Sequence, residues 1–268
     1  MVALGALLVP PAQSSGRLVR VYGDVTTADR VAVVVPGADV TVETFDAGVH
    51  RPGGSARALL EEASRQSPGT HLAVVAWLGY ESPPTWSLDV VMDSAAEEGA
   101  HALRRTVTDL RRQTRAPIAL LCHSYGSVVC AKAAATGLPI TDLALFASPG
   151  LDGLTAASFS PARVWTGLGS NDWMRFVPKT KLGPLGFGSD PMSPAFGARP
   201  FDAGNGGHSD YFRPGTLSLR NLAHIALGHP DQVIAPPPRT APTSTARTRT
   251  PTAPTRPAHL ELRTRPRS

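Results

Sequence analysis

The feature that most constrains this chain is a series of short, almost continuous apolar runs that end in turn-forming residues. After a strand-like alternation at residues 17–24, the runs follow one another at residues 30–37, 71–77, 116–122, 142–147 and 162–166. Short runs rich in branched side chains are typical of strands that are buried on both faces of a parallel sheet. The sequence therefore predicts a sheet whose two faces are both covered.

Helical patterns fill the intervals between these runs. Residues 93–115 carry one apolar stripe at helical spacing, formed by Ala96, Ala100, Leu103, Val107 and Leu110. Residues 55–64, 125–136 and 218–227 are also predicted to be helices. Because strands that alternate with helices form crossover units, we predict an α/β fold with a mostly parallel sheet and helices on both faces.

Charge is distributed unevenly along the chain. The net charge is +5, but residues 235–268 hold seven arginines and a single acid, Glu261, so the rest of the chain is close to neutral. A nucleic-acid-binding function therefore loses its main support. The tail is rich in Pro, Thr and Arg, and we expect it to be disordered. It is either a solvated terminus or a weak tether to an anionic surface.

These compositional changes divide the chain into three parts. Residues 1–16 are a flexible leader or the remnant of a signal segment, residues 17–234 are the α/β domain, and residues 235–268 are the tail. No apolar run approaches the roughly 18 residues that span a bilayer. If the natural start lies upstream of Met1, we expect secretion or a cell-envelope location; otherwise we expect the cytoplasm.

The two cysteines, Cys122 and Cys130, lie on a predicted strand and on the helix that follows it. If these two layers are about 10 Å apart, the Cα atoms fall near or just beyond disulfide reach. We therefore expect two small buried thiols. Neither a disulfide framework nor a metal site is indicated, and we expect no metal and no cofactor.

The residues around Ser124 carry the strongest chemical signal. An apolar strand ends at Cys122, a tight turn places Ser124 at its apex, and a helix begins at once with Gly126 in its first turn. This pattern matches the nucleophile elbow G-x-S-x-G in its strand–turn–helix context, with Cys122 where the first glycine usually stands. A serine that merely caps the helix is the plain alternative.

Two backbone N–H groups are candidates to stabilise an oxyanion beside this serine. The N–H of Tyr125 lies at a helix N-terminus, where unpaired donors favour negative charge. The N–H of Ala38 follows Pro36-Gly37 at the end of the first long apolar run. An apolar substrate pocket is predicted from aromatic residues at or after strand ends, namely Trp77, Tyr80, Trp86 and Trp173, with core packing as an equal alternative for Trp77.

These motifs resemble the α/β-hydrolase superfamily and, more closely, a bacterial branch catalogued as domain of unknown function 1023. The resemblance covers roughly residues 17–228 and depends on motifs in a fixed order, namely Val34–Gly37, Ala76–Tyr80, Cys122–Ser127, Ser148–Gly150, Gly188–Pro191, Phe196–Ala198, Gly207–Ser209 and Ser218–Leu222. It implies the α/β-hydrolase fold and a catalytic triad, and it implies no particular substrate.

In this fold the acid of the triad follows the nucleophile in the chain and precedes the histidine. Asp172 comes just after the predicted strand at residues 162–166, at the sheet edge where ligands of α/β folds bind. It is our first candidate for the acid. Asp152, Asp190 and Asp202 are rivals, although each has the setting of a turn residue.

His208 is the candidate base among the eight histidines. It lies in a glycine-rich loop just ahead of the last helix, where the backbone can turn the imidazole toward the serine. His123 is interpreted as a packed or hydrogen-bonded histidine on the strand. The other six are excluded by chain order, by a position in or beyond the last helix, or by lying in the tail, namely His50, His71, His101, His224, His229 and His259.

Together these residues predict a serine hydrolase with Ser124 as nucleophile, His208 as base and Asp172 as orienting acid. The expected partner is a small-molecule acyl substrate, and an esterase or lipase-like carboxylic ester hydrolase is the first interpretation. An acyltransferase or a peptidase would use the same triad, and a non-catalytic binding module would share the same fold. The irregular stretch from residue 173 to residue 199 is the expected wall or lid of the site.

Overall fold

One sheet organises the chain, and the computed structural model describes residues 16–83, 92–179 and 188–237 of it. Within these ranges the sheet has seven strands in the order β1-β3-β2-β4-β5-β6-β7. The strands are β1 (Leu18–Tyr22), β2 (Arg30–Val35), β3 (Leu72–Leu78), β4 (Ile118–His123), β5 (Asp142–Phe146), β6 (Arg163–Gly167) and β7 (Arg199–Pro200). Only β1 is antiparallel to its neighbour, so the predicted mostly parallel sheet is confirmed.

The register brings the carboxyl ends of the central strands to one edge of the sheet. Val35 at the end of β2 pairs with Cys122 near the end of β4. His123, the last residue of β4, pairs with Phe146 of β5, which in turn pairs with Gly167 of β6. The turns that follow β2, β4 and β6 therefore emerge side by side.

In the described ranges, four α-helices cover the two faces of the sheet. They are α1 (Pro52–Gln66), α2 (Met92–Gln113), α3 (Tyr125–Ala134) and α4 (Leu217–Leu227). Helices α1 and α4 pack on one face around Leu59 and Leu222, and helices α2 and α3 pack on the other around Leu103 and Val129. Each face thus has its own apolar core, as the alternation of strands and helices predicts.

A buried ion pair holds the opposite, amino-terminal edge of the sheet. The Asp142 carboxylate, which is 1% exposed, accepts two hydrogen bonds of 2.8 Å from Arg163 and one of 3.0 Å from Trp165 Nε1. Arg30 completes the cluster at 3.3 Å. Because every partner belongs to the start or interior of a strand, this cluster joins β2, β5 and β6 far from the turns that carry the candidate site.

The expectation of free thiols is wrong, since Cys122 and Cys130 form a disulfide with Cα atoms 6.4 Å apart. The expectation assumed that strand and helix are separated by a full layer. Instead α3 begins directly after Ser124 and folds back along its own strand, with Gly126 against the backbone of β2. This close approach brings the two sulfur atoms together.

Several predicted features lie outside the described residues. These are most of the leader, the tail from residue 238 onward, residues 180–187 of the predicted lid, and Trp86. Among the residues that are described, no helix combines the length and the apolar character needed to cross a membrane.

Candidate active site

Ser124 lies on a strained turn between β4 and α3. Its backbone has φ 52° and ψ −126°, a conformation that residues other than glycine rarely adopt. The turn is held by a hydrogen bond of 3.0 Å from Ser124 N–H to the carbonyl of Phe146, and by Ser127, which donates to the Ser124 carbonyl from its N–H and its hydroxyl. Such backbone strain persists where many surrounding contacts hold the residue in place, and it is common at functional sites.

Small residues allow this turn to form. A Cβ at Gly126 would lie 2.4 Å from the carbonyl oxygen of Pro36, and a Cβ at Gly37 would lie 2.7 Å from Cβ of Ser124. Both distances are too short for any side chain, so glycine is required at both positions. The Ser124 side chain makes no capping hydrogen bond to α3, so the plain alternative of a helix-capping serine is not what the structure contains.

The structure brings Ser124, His208 and Asp172 together at the carboxyl edge of the sheet. Oγ of Ser124 lies 2.9 Å from Nε2 of His208, and Nδ1 of His208 lies 2.9 Å from Oδ1 of Asp172. Because a carboxylate only accepts hydrogen bonds, the proton of the neutral imidazole belongs on Nδ1, which leaves Nε2 to accept from the serine. The three side chains form one continuous hydrogen-bonded chain.

Asp172 is fully buried and its carboxylate is well satisfied. Oδ1 also accepts from the N–H of Met174 at 2.9 Å, and Oδ2 accepts from the hydroxyl of Tyr211 at 2.7 Å. Burial alone would raise the pKa of Asp172, but the hydrogen bonds from His208, Tyr211 and Met174 outweigh it and hold the pKa below its usual value. The carboxylate therefore stays ionised at neutral pH.

The loop that carries His208 is docked onto the turn that follows β6. The N–H of Ser170 donates to the carbonyl of Gly204, and a Cβ at Gly169 would lie 2.3 Å from the carbonyl oxygen of Gly206. Within the loop, the N–H of Gly207 donates to the carboxylate of Asp210 at 2.8 Å. These contacts fix the backbone on both sides of the imidazole.

His123 supports this loop from the strand. Its Nε2 lies 2.8 Å from the carbonyl oxygen of His208, so Nε2 must be the donor. Its ring packs against the rings of His208 and Phe146, with centroids 4.7 and 5.5 Å away. Burial and the neighbouring His208 lower the pKa of His123 to about 3, so this imidazole is neutral. The interpretation of a hydrogen-bonded strand histidine is confirmed.

Two of the three rival candidates for the acid, Asp190 and Asp202, have partners in their own turns. Oδ1 of Asp190 accepts from the N–H of Met192, and Oδ1 of Asp202 accepts from the N–H of Gly204, both within turns. Neither is bonded to His208, whereas Asp172 is. Asp172, the first candidate by its position after a strand, is therefore the acid that contacts the imidazole of His208.

Two of the predicted pocket residues are corrected by the structure. Trp77 and Tyr80 are 0% exposed and pack in the core beneath α2 and α3, where Trp77 Nε1 donates to Thr106 Oγ1. They cannot line a pocket because β3, which carries Trp77, lies between β1 and β2 and is buried throughout, and because Tyr80, just after β3, packs in the same core. Trp173 differs, since it is 44% exposed and its ring centroid lies 4.7 Å from that of His208.

Tyr211 is a site residue that the sequence did not predict. Its hydroxyl donates to Asp172 and accepts from the N–H of Gly169 at 3.0 Å. Burial and the Asp172 carboxylate raise the pKa of Tyr211, so the phenol keeps its proton. Its position three residues after His208 was the available signal. In the described part of the chain, no group of three or more His, Cys, Asp or Glu side chains is arranged to hold a metal ion.

A seven-stranded, mostly parallel sheet with a strained serine after a central strand defines the α/β-hydrolase class. Residues 11–182 match the sequence profile of a family described as alpha/beta hydrolase. The match covers more than half of the chain, and the protein belongs to this family.

The chain is also similar to curated proteins of Mycobacterium tuberculosis. It is 31% identical over 252 residues to the uncharacterized protein Rv2079 of Mycobacterium tuberculosis, an alignment that covers 82% of this chain and 38% of the relative. It is 33% identical over 159 residues to the uncharacterized protein Rv0963c of the same organism, covering 56% of this chain and 59% of the relative. The chain thus spans well under two thirds of the length of these curated relatives.

Among solved structures, the chain is similar to XC6422 from Xanthomonas campestris, described as an α/β serine hydrolase without a lid. The identity is 16%, the TM-score is 0.46, and the alignment covers 82% of this chain and 91% of the other. A serine hydrolase homologue from Coxiella burnetii is 13% identical, with a TM-score of 0.48 and coverage of 85% and 97%.

Proposed function

We propose that this protein is a serine hydrolase that cleaves carboxylic esters through an acyl-enzyme. The observation that carries the proposal is the hydrogen-bonded chain from Ser124 Oγ through His208 to Asp172, with both steps at 2.9 Å. A strained serine paired with an imidazole that a carboxylate orients is the arrangement that activates a hydroxyl as nucleophile. The motif order also favours the bacterial branch catalogued as domain of unknown function 1023.

The proposed reaction has two halves. His208 Nε2 takes the proton as Ser124 Oγ attacks the ester carbonyl, and the Asp172 carboxylate stabilises the imidazolium. The backbone N–H groups of Ala38 and Tyr125 are the proposed donors to the tetrahedral oxyanion. The imidazolium then protonates the departing alkoxide, which leaves as an alcohol. In the second half, His208 activates water, which attacks the acyl group and releases the carboxylic acid and free Ser124.

Trp173 is the proposed contact for the apolar part of the substrate. Its ring is partly exposed and lies against the imidazole that receives the serine proton. A substrate held there brings an apolar group to the mouth of the site and its carbonyl to Ser124. We expect Trp173→Ala to raise KM for apolar esters more than it lowers kcat.

The proposal is tested with a fluorophosphonate probe and a panel of p-nitrophenyl esters of increasing acyl length. We expect the probe to label the native protein at Ser124, and Ser124→Ala to lose both labelling and turnover. Ser67→Ala, which removes a surface hydroxyl bonded to Thr70, is the matched control and should retain both. Absence of labelling and of turnover in the folded wild-type protein would favour a non-catalytic binding module. Adding an alcohol or amine acceptor separates hydrolysis from acyl transfer, and peptide substrates test for peptidase activity.

A further inference from the structure

The segment that follows β3 is hydrogen-bonded to the loop that follows β2. The hydroxyl of Tyr80 lies 3.0 Å from the carbonyl oxygen of Pro36 and 3.2 Å from that of Gly37. The hydroxyl of Ser82 donates to the carbonyl of Gly37 at 2.8 Å. Both carbonyl groups at the end of β2 are therefore held from the same side by side-chain hydroxyls.

Two further hydrogen bonds extend this contact along the loop. The N–H of Val40 donates to Oγ of Ser82 at 3.2 Å, and the N–H of Asp39 donates to the carbonyl of Pro83 at 3.0 Å. Asp39 has φ 59°, a left-handed conformation that is uncommon for a residue with a side chain. The loop is thus held in a strained form directly after Ala38, the candidate oxyanion donor.

The orientation of the Gly37 carbonyl fixes the direction of the Ala38 N–H. The peptide bond between them is trans, since within the described ranges the single cis bond is Ser160–Pro161. In a trans peptide the C=O and the N–H point in opposite directions. Because the carbonyl faces Ser82 and Tyr80, the Ala38 N–H points away from them. No backbone carbonyl of the described residues accepts a hydrogen bond from it.

Gly37 lies against the nucleophile. A Cβ built on Gly37 would lie 2.7 Å from Cβ and 3.1 Å from Oγ of Ser124. The peptide that joins Gly37 to Ala38 therefore lies beside the nucleophile, with its carbonyl bonded to Tyr80 and Ser82.

Tyr80 also contacts the second candidate donor residue. Its ring centroid lies 6.0 Å from that of Tyr125, the residue whose N–H begins α3. Tyr80 is fully buried, and burial raises the pKa of its hydroxyl, which therefore remains a donor. One side chain thus touches the loop after β2 and the start of α3.

We propose that Tyr80 and Ser82 are positioning residues that preorganise the oxyanion hole by holding the Gly37 carbonyl so that the Ala38 N–H is directed beside Ser124. The proposal depends on the proposed function. Donors that are fixed before the reaction stabilise the oxyanion without reorganisation during it. If the hydroxyls are removed, the Gly37–Ala38 peptide is free to rotate, and the loss falls on the transition state and not on the bound ester.

The test uses Tyr80→Phe, Ser82→Ala and their combination, with kcat, KM and the affinity for phenylboronic acid as readouts. Outright loss of one oxyanion-hole donor costs about 10²–10³-fold in kcat. We expect each single variant to lose about tenfold in kcat and the double variant to approach about a hundredfold, with KM changed less than threefold. Boronate affinity should fall in parallel with kcat/KM, because boronate forms the tetrahedral anion. Ser82→Thr keeps the hydroxyl and should restore most of the rate.

Two controls separate this role from a general effect on folding. Tyr22→Phe removes a phenol hydroxyl whose partner, Asp46, lies farther along the connection from β2 to α1, and Ser67→Ala removes a hydroxyl just after α1; both should leave kcat unchanged. In amide NMR spectra, boronate should shift the Ala38 N–H strongly in the wild-type protein and weakly in the double variant.

The outcomes distinguish this inference from the proposed function. If the wild-type protein turns over esters while Tyr80→Phe and Ser82→Ala keep kcat and boronate affinity within twofold, the positioning role is rejected and the triad stands. Because Ser82 is partly exposed, the Ser82→Ala variant tests the positioning role even if Tyr80→Phe folds poorly. If the folded wild-type protein neither reacts with the fluorophosphonate nor hydrolyses any ester, both proposals fail together.

Discussion

The hydroxyl of Tyr211 donates a hydrogen bond of 2.7 Å to Oδ2 of Asp172, the carboxylate oxygen that His208 does not use. The phenol of Tyr211 and the imidazole of His208 therefore bind different oxygens of the same buried carboxylate. Since Asp172 is 0% exposed, no water replaces a lost partner without rearrangement, and each donor contributes to keeping the carboxylate ionised.

We expect Tyr211→Phe to lower kcat by about tenfold with little change in KM, because a hydrogen bond to a charged group contributes about 1.5–3 kcal/mol and part of this is lost in the transition state. The pKa of Asp172 should rise, so the acid limb of the pH–activity profile should shift to a higher pH. Steady-state kinetics from pH 4 to pH 9 provide the measurement. Tyr22→Phe is the control, and an unchanged kcat and acid limb would show that Tyr211 only packs.

Asp172→Asn should be far more damaging. The amide is nearly isosteric, but it can donate a hydrogen bond to Nδ1 and so favour the imidazole tautomer that cannot accept the serine proton. A loss of about 10⁴-fold in kcat is expected, as for an orienting aspartate in a serine triad. Asp190→Asn changes a carboxylate that is bonded within a turn and should retain activity. If Asp172→Asn keeps the parental rate, the assignment of the acid is rejected.

The partly buried His123 should make the fold sensitive to acid. Burial and the neighbouring His208 lower its pKa to about 3, whereas in the unfolded chain a histidine has a pKa of about 6.5. Between these values the unfolded state binds a proton that the folded state does not. The free energy of unfolding therefore falls as the pH decreases from about 6.5 toward 3, by at most about 1.4 kcal/mol per pH unit.

We expect His123→Gln to flatten this dependence, because glutamine keeps a hydrogen-bond donor and does not titrate. Urea unfolding of both proteins at several values from pH 7 to pH 4 provides the measurement. The difference between the two curves isolates His123 from His50 and His224, whose pKa values are also lowered by burial. The exposed His71 supplies the control His71→Gln, which should follow the wild-type curve. Parallel curves for wild type and His123→Gln would contradict the prediction.

The disulfide between Cys122 and Cys130 should stabilise the elbow measurably. Closing a loop of this length lowers the entropy of the unfolded chain enough to contribute about 2.5 kcal/mol at 25 °C. We expect dithiothreitol to lower the unfolding free energy of the wild-type protein by about this amount and to have no effect on the Cys122→Ala/Cys130→Ala double variant. Mass spectrometry after alkylation verifies the redox state. Alkylation of both thiols without reductant would contradict the bond.

Much of the fold could be predicted from local pattern. The apolar runs become β2 to β6, and the striped segment becomes α2, because burial on both faces and burial on one stripe leave different periodicities in the sequence. The two-residue strand β7 was not predicted, since its pairing with β6 depends on a neighbour that is distant in the chain.

The candidate site was only partly accessible to the same reasoning. Ser124 is identified by its own neighbours, and Asp172 and His208 follow from chain order. Tyr80 was assigned to a pocket because a position after a strand end does not reveal whether the side chain turns toward solvent or under the adjacent loop. Free thiols were expected because an average spacing between sheet and helix layers was assumed. At the elbow α3 lies closer to its strand than this average, and the two cysteines form a disulfide.

By itself, the sequence determined the layers, the strained serine turn and the candidates for its partners, because each depends on residues that are close in the chain or on a fixed order. Only the tertiary structure decided that Tyr211 donates a hydrogen bond to Asp172 and that His123 donates one to the His208 carbonyl. It also decided that Tyr80 and Ser82 are hydrogen-bonded to the loop beside the nucleophile. Such contacts join residues that parallel strands bring to a common edge, and hydrogen bonds between distant segments leave no periodicity in the chain that forms them.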